Sequence, residues 1–457
     1  MLSRSSSETL SLRRETFRIE LTRTSFQLVS GHHAETFTEL TPVETAMLRR
    51  LGTDALSGDE IPGDVSPFVD RLRRGGWLRI GVMHDDAARY VLEPLRRPPE
   101  KTPPPPGTRL SRFALLHRDG GEMIIESPLA WCDIRIIDPG VAGLVAALAD
   151  SAEGDGASDV RAVLRADLWW AGLLTPQDGA ERSEFSHRQW ATHELWFHER
   201  SRGGHRSYTH GGFGGTRWAE REFPSPPARH EPEFAGPGID LPVPDLATLS
   251  ESDAPLTSVL EARCSIRRHD DTDPLTLGEL AEFLYRAART RSVTRYEGVE
   301  YKSRPHPSGG SVYELEIYPV VRSVEGLEPG MYHYDAEEHR LVSVTRACAT
   351  THRMLRRAAA SSRQAERPQV LLVVAARFGR LMWNYEAMTY ALVLKHVGVL
   401  YQTMYLIATA MGLAACGLGS GDSVLFTDAT GIDPLVEGTV GEFMLGRPGR
   451  ERTGATR

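Results

Sequence analysis

Two guanidinium groups four residues apart, with a hydroxyl between them, can converge on one phosphate. The run Arg263-Cys264-Ser265-Ile266-Arg267 supplies that arrangement just after a helical stretch. Arginine offers planar, bidentate, permanently charged donors, and the serine adds a neutral one. Further on, Arg304-Pro305-His306-Pro307-Ser308-Gly309-Gly310 leads into the strand-like SVYELEIYPVV. A Pro-Ser-Gly-Gly loop suits backbone pressed against a flat cofactor, because glycine lacks the Cβ that would collide with a ring and frees its N–H to donate. Taken singly, an arginine cluster belongs on a solvated helix face and Pro-Ser-Gly-Gly is a turn before a strand. Pro274–Leu280 opens a helix between them, and Gly330-Met331-Tyr332-His333-Tyr334-Asp335 follows. In that company the two motifs read as parts of one site.

The elements that hold these residues must come from a large soluble chain. At 457 residues it is too long for one ordinary domain. Its 40% hydrophobic and 25% charged residues give the balance of a globular protein. A net charge of −8 provides no basic field for bulk nucleic-acid binding. Lysine is confined to Lys101, Lys302 and Lys395, so few amines are available for catalysis. Cys132, Cys264, Cys348 and Cys416 are scattered, without a CxxC pair or metal-ligand spacing, which suits a reduced cytoplasmic interior. The N-terminus has no apolar core of a secretory signal. The apolar stretch from Leu381 to Leu418 is interrupted by Asn384, Glu386, Lys395, His396 and Gln402, and reads as a buried helix rather than a membrane span. The expectation is a cytoplasmic, multidomain protein.

Proline marks the boundaries. Thr102–Gly107 (TPPPPG) reads as a stiff spacer, and Phe223–Pro244 as a long irregular connection. They divide the chain into 1–105, 106–222, a linker at 223–244, and 245–457. The first two pieces look like copies of one strand-then-helix unit. Each has strand-like segments (FRIELTRTSFQLV; FALLHRD and GEMIIES), then a helix opened by Thr41-Pro42 or Asp138-Pro139. Proline is natural in a first helical turn, and the Thr or Asp before it can cap. Counted from each proline, Leu40, Leu48 and Leu51 match Ile137, Val145 and Leu148, and the closing Gly76 matches Gly172 within one position. This predicts a duplication. The unit resembles the winged-helix leader-binding domain of peptide-modifying enzymes, the RiPP recognition element, which adds a peptide as an extra strand to a sheet edge.

The third piece resembles the nitroreductase superfamily, and within it the SagB-type dehydrogenases or azoline oxidases. The resemblance is carried by RxSxR at 263–267, PSGG at 307–310, GLEPGMYHYD at 326–335 and GVLYQTMYLIATAMGLAACGLGSGD at 398–422, with QWATHELWFHERSRGGH at 189–205 similar to the segment preceding the catalytic domain there. It covers about 186–449, and some azoline oxidases likewise carry a pair of leader-binding units. The fold it implies is α+β: an antiparallel-rich sheet flanked by helices, dimeric, preceded by two winged-helix-like units. It implies FMN as cofactor, bound by Arg263, Ser265 and Arg267 near the phosphate, with Arg447 also reaching it. Pro307, Ser308 and Gly309 would lie against the isoalloxazine, and Gly417, Gly419 and Gly421 would approach by backbone. In this superfamily the flavin sits at a two-fold dimer interface. A long helix from Trp383 to Met411 fits a core or that interface, with Lys395, Gln402 and Thr409 on one face. Gln402 is a candidate flavin contact, against the plainer reading of a satisfied buried amide.

The chain departs from these relatives at the acid–base pair. Azoline oxidases carry Lys-Tyr near the start of this helix, where this sequence has Asn384 and Tyr385. Tyr385 keeps the phenol, but Asn384 cannot trade a proton as an amine does, and a positioned acid or base is worth ~10² to 10⁴ in rate. His193, His198, His205 and His210 fit no regular metal-ligand geometry on one helix and are expected to order the interdomain segment rather than bind zinc. The activity implied by the resemblance is oxidation of thiazoline or oxazoline rings to azoles in a ribosomal peptide. Its implied partners are a precursor peptide with a leader, a cyclodehydratase and a second copy of the chain. Two rivals stand beside it: an NAD(P)H-dependent nitro or ene reductase, for which a peptide-binding half has no use, and a non-catalytic scaffold, supported by Asn384 alone.

Overall fold

The computed structural model describes residues 6–30, 33–149, 159–202, 218–231, 234–364, 366–386 and 388–449. The chain forms two compact units, Met1–Tyr208 and Thr209–Arg457.

The first unit runs β1 (Ser7–Leu12), then an antiparallel sheet of β2 (Phe17–Thr22), β3 (Ser25–Ser30) and β4 (His33–Phe37). It continues through α1 (Pro42–Leu51), β5 (Leu56–Ser57), α2 (Ser66–Gly75), β6 (Leu78–His84) and β7 (Ala87–Pro94). The scheme then recurs as β8 (Thr108–Leu110), β9 (Leu115–Asp119), β10 (Glu122–Glu126), β11 (Cys132–Ile136), α3 (Pro139–Ala146), α4 (Asp159–Ala171) and β12 (Leu174–Pro176). In each half the opening strand pairs antiparallel with the strand after the second helix, β1 with β6 and β8 with β12.

Local chemistry repeats as well. Thr41 accepts from the Glu44 amide and Asp138 from the Gly140 amide, each with proline in the first turn. Gly76 (φ 76°) and Gly172 (φ 84°) end α2 and α4 in the left-handed region. Gly76 N–H donates to Arg73 and Trp77 N–H to Leu72; Gly172 N–H donates to Trp169 and Leu173 N–H to Leu168. One matched position departs: Ile137 is 49% exposed, whereas Leu40, Leu48, Leu51, Val145 and Leu148 are buried.

The expected boundary at 105 does not separate the two halves. They share one seven-stranded sheet, ordered β5-β1-β6-β7-β11-β10-β9, because β7 offers its edge to β11. The proline-rich stretch between them is held against α4: Arg165 donates to the Pro105 carbonyl at 3.0 Å, Trp169 to Thr102 Oγ1 at 3.3 Å, and Lys101 to Asp167 at 2.7 Å. Three short helices follow, α5 (Ala180–Ser183), α6 (Phe185–Arg188) and α7 (Thr192–Arg200).

The second unit contains α8 (Ala219–Glu222), β13 (Gly238–Asp240), α9 (Leu246–Ser252), α10 (Leu256–Ala262), β14 (Leu275–Thr276), α11 (Leu277–Ala288) and the hairpin β15 (Ser292–Tyr296) with β16 (Val299–Ser303). Next come β17 (Leu315–Val321), β18 (Val324–Glu325), β19 (Gly330–Asp335), β20 (Arg340–Arg346), α12 (Ala349–Ser361) and β21 (Val370–Arg377). It ends with α13 (Phe378–Met382), α14 (Thr389–Ala410), β22 (Ala414–Leu418), α15 (Ser423–Thr430) and β23 (Glu437–Gly446). Its sheet is antiparallel throughout, in the order β13-β20-β19-β17-β21-β23-β22. Phe283, Leu284, Leu400, Met404 and Phe443 fill one face with α11 and α14; Leu355, Phe426 and Met444 fill the other with α12 and α15. Helices on both faces explain why β17 and β21 read as unbroken runs rather than alternating ones.

The stretch expected as a linker, 223–244, is instead part of this unit. Proline lacks an N–H but keeps its carbonyl, so the segment is rich in acceptors. Buried arginines meet them: Arg377 donates to Ala228 and Pro227, both at 2.9 Å, and Arg380 to Pro226 at 2.6 Å. Gly238–Asp240 then pairs with β20 as an edge strand.

Candidate functional site

The arginine–serine motif leaves α10 in extended backbone and runs beside β22, where Ile266 N–H donates to the Ala415 carbonyl at 2.9 Å. Ser265 Oγ lies 2.9 Å from the Tyr405 hydroxyl, which also receives the Gly417 N–H at 2.8 Å. The Arg263 guanidinium stands over the Tyr405 ring, 5.4 Å from its centre. Three residues expected at one ligand, Arg263, Ser265 and Gly417, are thus gathered around Tyr405 of α14, which lies within the 398–422 run but was not among the expected contacts. Arg267 is exposed.

The Pro-Ser-Gly-Gly loop is gathered by the same helix. Gly309 N–H donates to His396 Nε2 at 2.8 Å, and His396 Nδ1 lies 2.7 Å from Glu314 Oε1. His396 is 5% exposed and Glu314 fully buried. Ser308 Oγ accepts from the Tyr313 amide at 3.2 Å and stands 3.5 Å from Glu314 Oε2. A Cβ on Gly309 would come within 2.9 Å of Leu392 Cδ2, so the loop packs closely against α14 at this glycine. Its N–H, expected to be free for a flavin, is spent on His396. Pro307 is exposed.

Asn384 and Tyr385 do not begin the long helix, as the apolar pattern suggested. They lie in the turn between α13 and α14, and α14 starts at Thr389. Asn384 is 3% exposed, and its amide donates to the Arg380 carbonyl at 2.9 Å, closing the end of α13. This is a helix-terminal hydrogen bond, which gives Asn384 a structural role at the end of α13. The Tyr385 phenol packs beside the α14 core, and burial pushes its pKa up. Lys302 stands apart from this turn on β16, 2.9 Å from Glu337; burial brings its ammonium down to about 8, with Arg304 adding to the effect and Glu316 and Glu337 opposing it.

The remaining expected residues scatter. A Cβ on Gly417 would meet Tyr401 at 2.8 Å, whereas Gly419 faces open space. Gly421 is a glycine because the Glu442 carboxylate sits where its Cβ would be. Glu442 is 8% exposed, and burial pushes its carboxyl up to about 7, with Asp422 adding like charge and a Thr439 hydrogen bond opposing. Arg447 is brought to the start of α11, donating to Glu279 at 2.7 Å and lying 3.3 Å from Asp273. Gln402 is exposed on α14, together with Tyr390, Leu394, Lys395, Gly398 and Val399. It is therefore not a buried amide. Among the described residues no group of His, Cys, Asp and Glu is arranged to hold a metal; His205 and His210 lie outside them.

Two family descriptions match the chain: the cyanobactin oxidase ThcOx family over residues 108–207 and the nitroreductase family over 260–447. MJ1384 of Methanocaldococcus jannaschii, named as a nitroreductase, is 31% identical over 185 residues, 40% of this chain and 86% of that protein. The trifolitoxin-processing protein TfxB of Rhizobium leguminosarum bv. trifolii is 27% identical over 166 residues, 36% of this chain and 44% of its own length. The microcin B17-processing protein McbC of Escherichia coli is 28% identical over 114 residues, 24% of this chain and 42% of its own. The chain thus spans less than half the length of either peptide-processing relative. Since the chain covers 86% of this archaeal relative at 31% identity, it belongs to the nitroreductase family.

Proposed function

We propose that this chain is an FMN-dependent oxidase that converts thiazoline or oxazoline rings, formed from Cys, Ser or Thr of a ribosomally made peptide, into thiazoles or oxazoles. The observation that carries this reading is the joining, in one chain, of a stretch matching the cyanobactin oxidase family to a nitroreductase-family unit. Similarity to two proteins named for processing peptide toxins supports it.

The residues fit the cofactor. Arg263, Arg267 and Ser265 offer two permanent charges and a hydroxyl beside the Gly417 backbone, a donor set suited to a phosphate. The open space at Gly419 leaves room for close backbone approach. Bound FMN would accept the hydride that leaves the azoline ring. Ser308 and Gly309 would position the ring system from a loop already tied to α14, and the Tyr385 hydroxyl, beside the α14 core, would be the acid–base group that relays the ring proton lost with the hydride. Arg447 would reach the phosphate only by leaving Glu279.

Two surfaces support the expected partners. On α14, Tyr390, Leu394 and Val399 are 41%, 40% and 36% exposed, apolar side chains spread across the exposed face of the helix around Gly398 and Gln402, a face suited to a second copy of the chain. On β2, which among the described residues pairs with β3 alone, Phe17 and Ile19 share one face at 69% and 45% exposed, and Leu21, at a bulge, is 52% exposed. An unpaired edge carrying apolar side chains suits capture of an extended leader segment by strand addition. A cyclodehydratase that installs the azoline would act before this enzyme.

The test is purification with FMN followed by absorbance and light scattering. The reading requires a yellow dimer with one FMN per subunit. A colourless monomer at saturating FMN contradicts it.

A further inference from the structure

We propose that His396, oriented by Glu314, is a positioning residue that holds the Ser308–Gly309 loop in the shape that receives flavin. This rests on the FMN reading above.

The geometry assigns the protons. A backbone N–H can only donate, so His396 Nε2, 2.8 Å from the Gly309 nitrogen, must present its lone pair. The ring proton then sits on Nδ1 and points at Glu314 Oε1, 2.7 Å away. Glu314 also reaches toward Ser308 with its second oxygen, so one buried carboxylate braces both the imidazole and the loop.

The loop needs such bracing. Gly310, Ser311 and Tyr313 all have positive φ, at 58°, 57° and 52°, and two of them carry side chains that disfavour it. Tyr313 adds a tie from its hydroxyl to the His306 carbonyl at 2.8 Å. The hold through His396 is nevertheless conditional. A proton on Nε2 would set two donors face to face, and the Gly309 hydrogen bond would be lost.

His306, which follows β16, is tied to the Ala287 carbonyl at 3.1 Å, so His396 is the histidine of this pair that accepts from Gly309.

The test compares native protein, His396→Gln and His396→Ala, each first checked for a native melting transition. Glutamine can present a carbonyl oxygen near the Nε2 position and does not titrate. In flavin-free protein at about pH 8, the Gly309 amide protection factor, read by hydrogen exchange, should be at least about tenfold higher in native protein than in His396→Ala. His396→Gln should keep most of that protection. FMN titrations, read by quenching of flavin fluorescence, should show the same pattern in Kd. Equal Gly309 protection in native and alanine proteins, or protection in the glutamine variant no higher than in the alanine variant, overturns the assignment. Absence of FMN affinity at pH 8 in native protein, with the exchange pattern as described, overturns the flavin reading and leaves the loop assignment standing.

Discussion

The Tyr405 hydroxyl lies 2.9 Å from Ser265 Oγ and joins α14 to a loop 140 positions earlier in the chain. Since the Gly417 amide must donate to the same oxygen, the phenol's own proton is available to the serine. Tyr405→Phe leaves both partners short of a hydrogen bond, a loss of about 1–3 kcal/mol. The melting temperature should fall by roughly 2–10 °C, and the FMN Kd should rise about tenfold. A variant that melts and binds FMN as the native protein does would make the cluster idle.

Arg267 is exposed beside that loop and carries a charge suited to the phosphate. Arg267→Ala should cost about 1.5–3 kcal/mol of FMN binding, a rise in Kd of roughly ten- to a hundredfold, with little change in thermal stability. Isothermal titration of the apoprotein decides it; an unchanged Kd removes Arg267 from the site.

Tyr385→Phe deletes only the hydroxyl from a partly buried side chain. FMN should remain bound, while single-turnover azoline oxidation should fall by at least ~10²-fold. Normal turnover would send the proton by another route, with solvent or Lys302 next in line. Asn384→Lys, which restores the Lys-Tyr pair, has a structural consequence too. It breaks the hydrogen bond to Arg380 and buries an amine at a position now 3% exposed. Its melting temperature should drop by roughly 3–10 °C even if its rate rises. A melting temperature equal to the native value would show that the turn accepts the amine without strain.

Glu442 gives a pH signature separate from catalysis. Its folded pKa, about 7, lies above the unfolded value, so the fold binds the protonated form. The stability it contributes is full below about pH 4.5 and is lost as pH rises through about 7. Glu442→Gln should therefore match native stability near pH 5 and exceed it by about 1–3 kcal/mol near pH 8. Denaturation at both pH values measures this, and a stability difference that is the same at both excludes the carboxyl as its source.

What the sequence disclosed follows the range of the forces involved. Thr41-Pro42 and Asp138-Pro139 were legible as helix starts because capping is settled within three residues. Gly76 and Gly172 were legible as stops for the same reason. The two loops stood out by composition, but the residues that hold them did not. His396 and Glu314 are 82 positions apart, and nothing local marks either as a partner of Gly309. The apolar run masked the break at Asn384, since a turn between two packed helices is as apolar as a helix. Phe223–Pro244 read as a spacer because its role is to accept hydrogen bonds, and the donors, Arg377 and Arg380, lie far downstream. Ile137 matched Leu40 in offset yet is exposed.

The central claim is the reaction itself, and mass spectrometry of the product tests it most directly. A leader-bearing peptide containing a thiazoline or oxazoline is incubated with the FMN-loaded protein in air. The account predicts loss of one hydrogen molecule per ring, appearance of azole absorbance, and no requirement for NAD(P)H. An azoline peptide of unchanged mass, together with FMN-bound protein that consumes NAD(P)H to reduce a nitro compound, would contradict it.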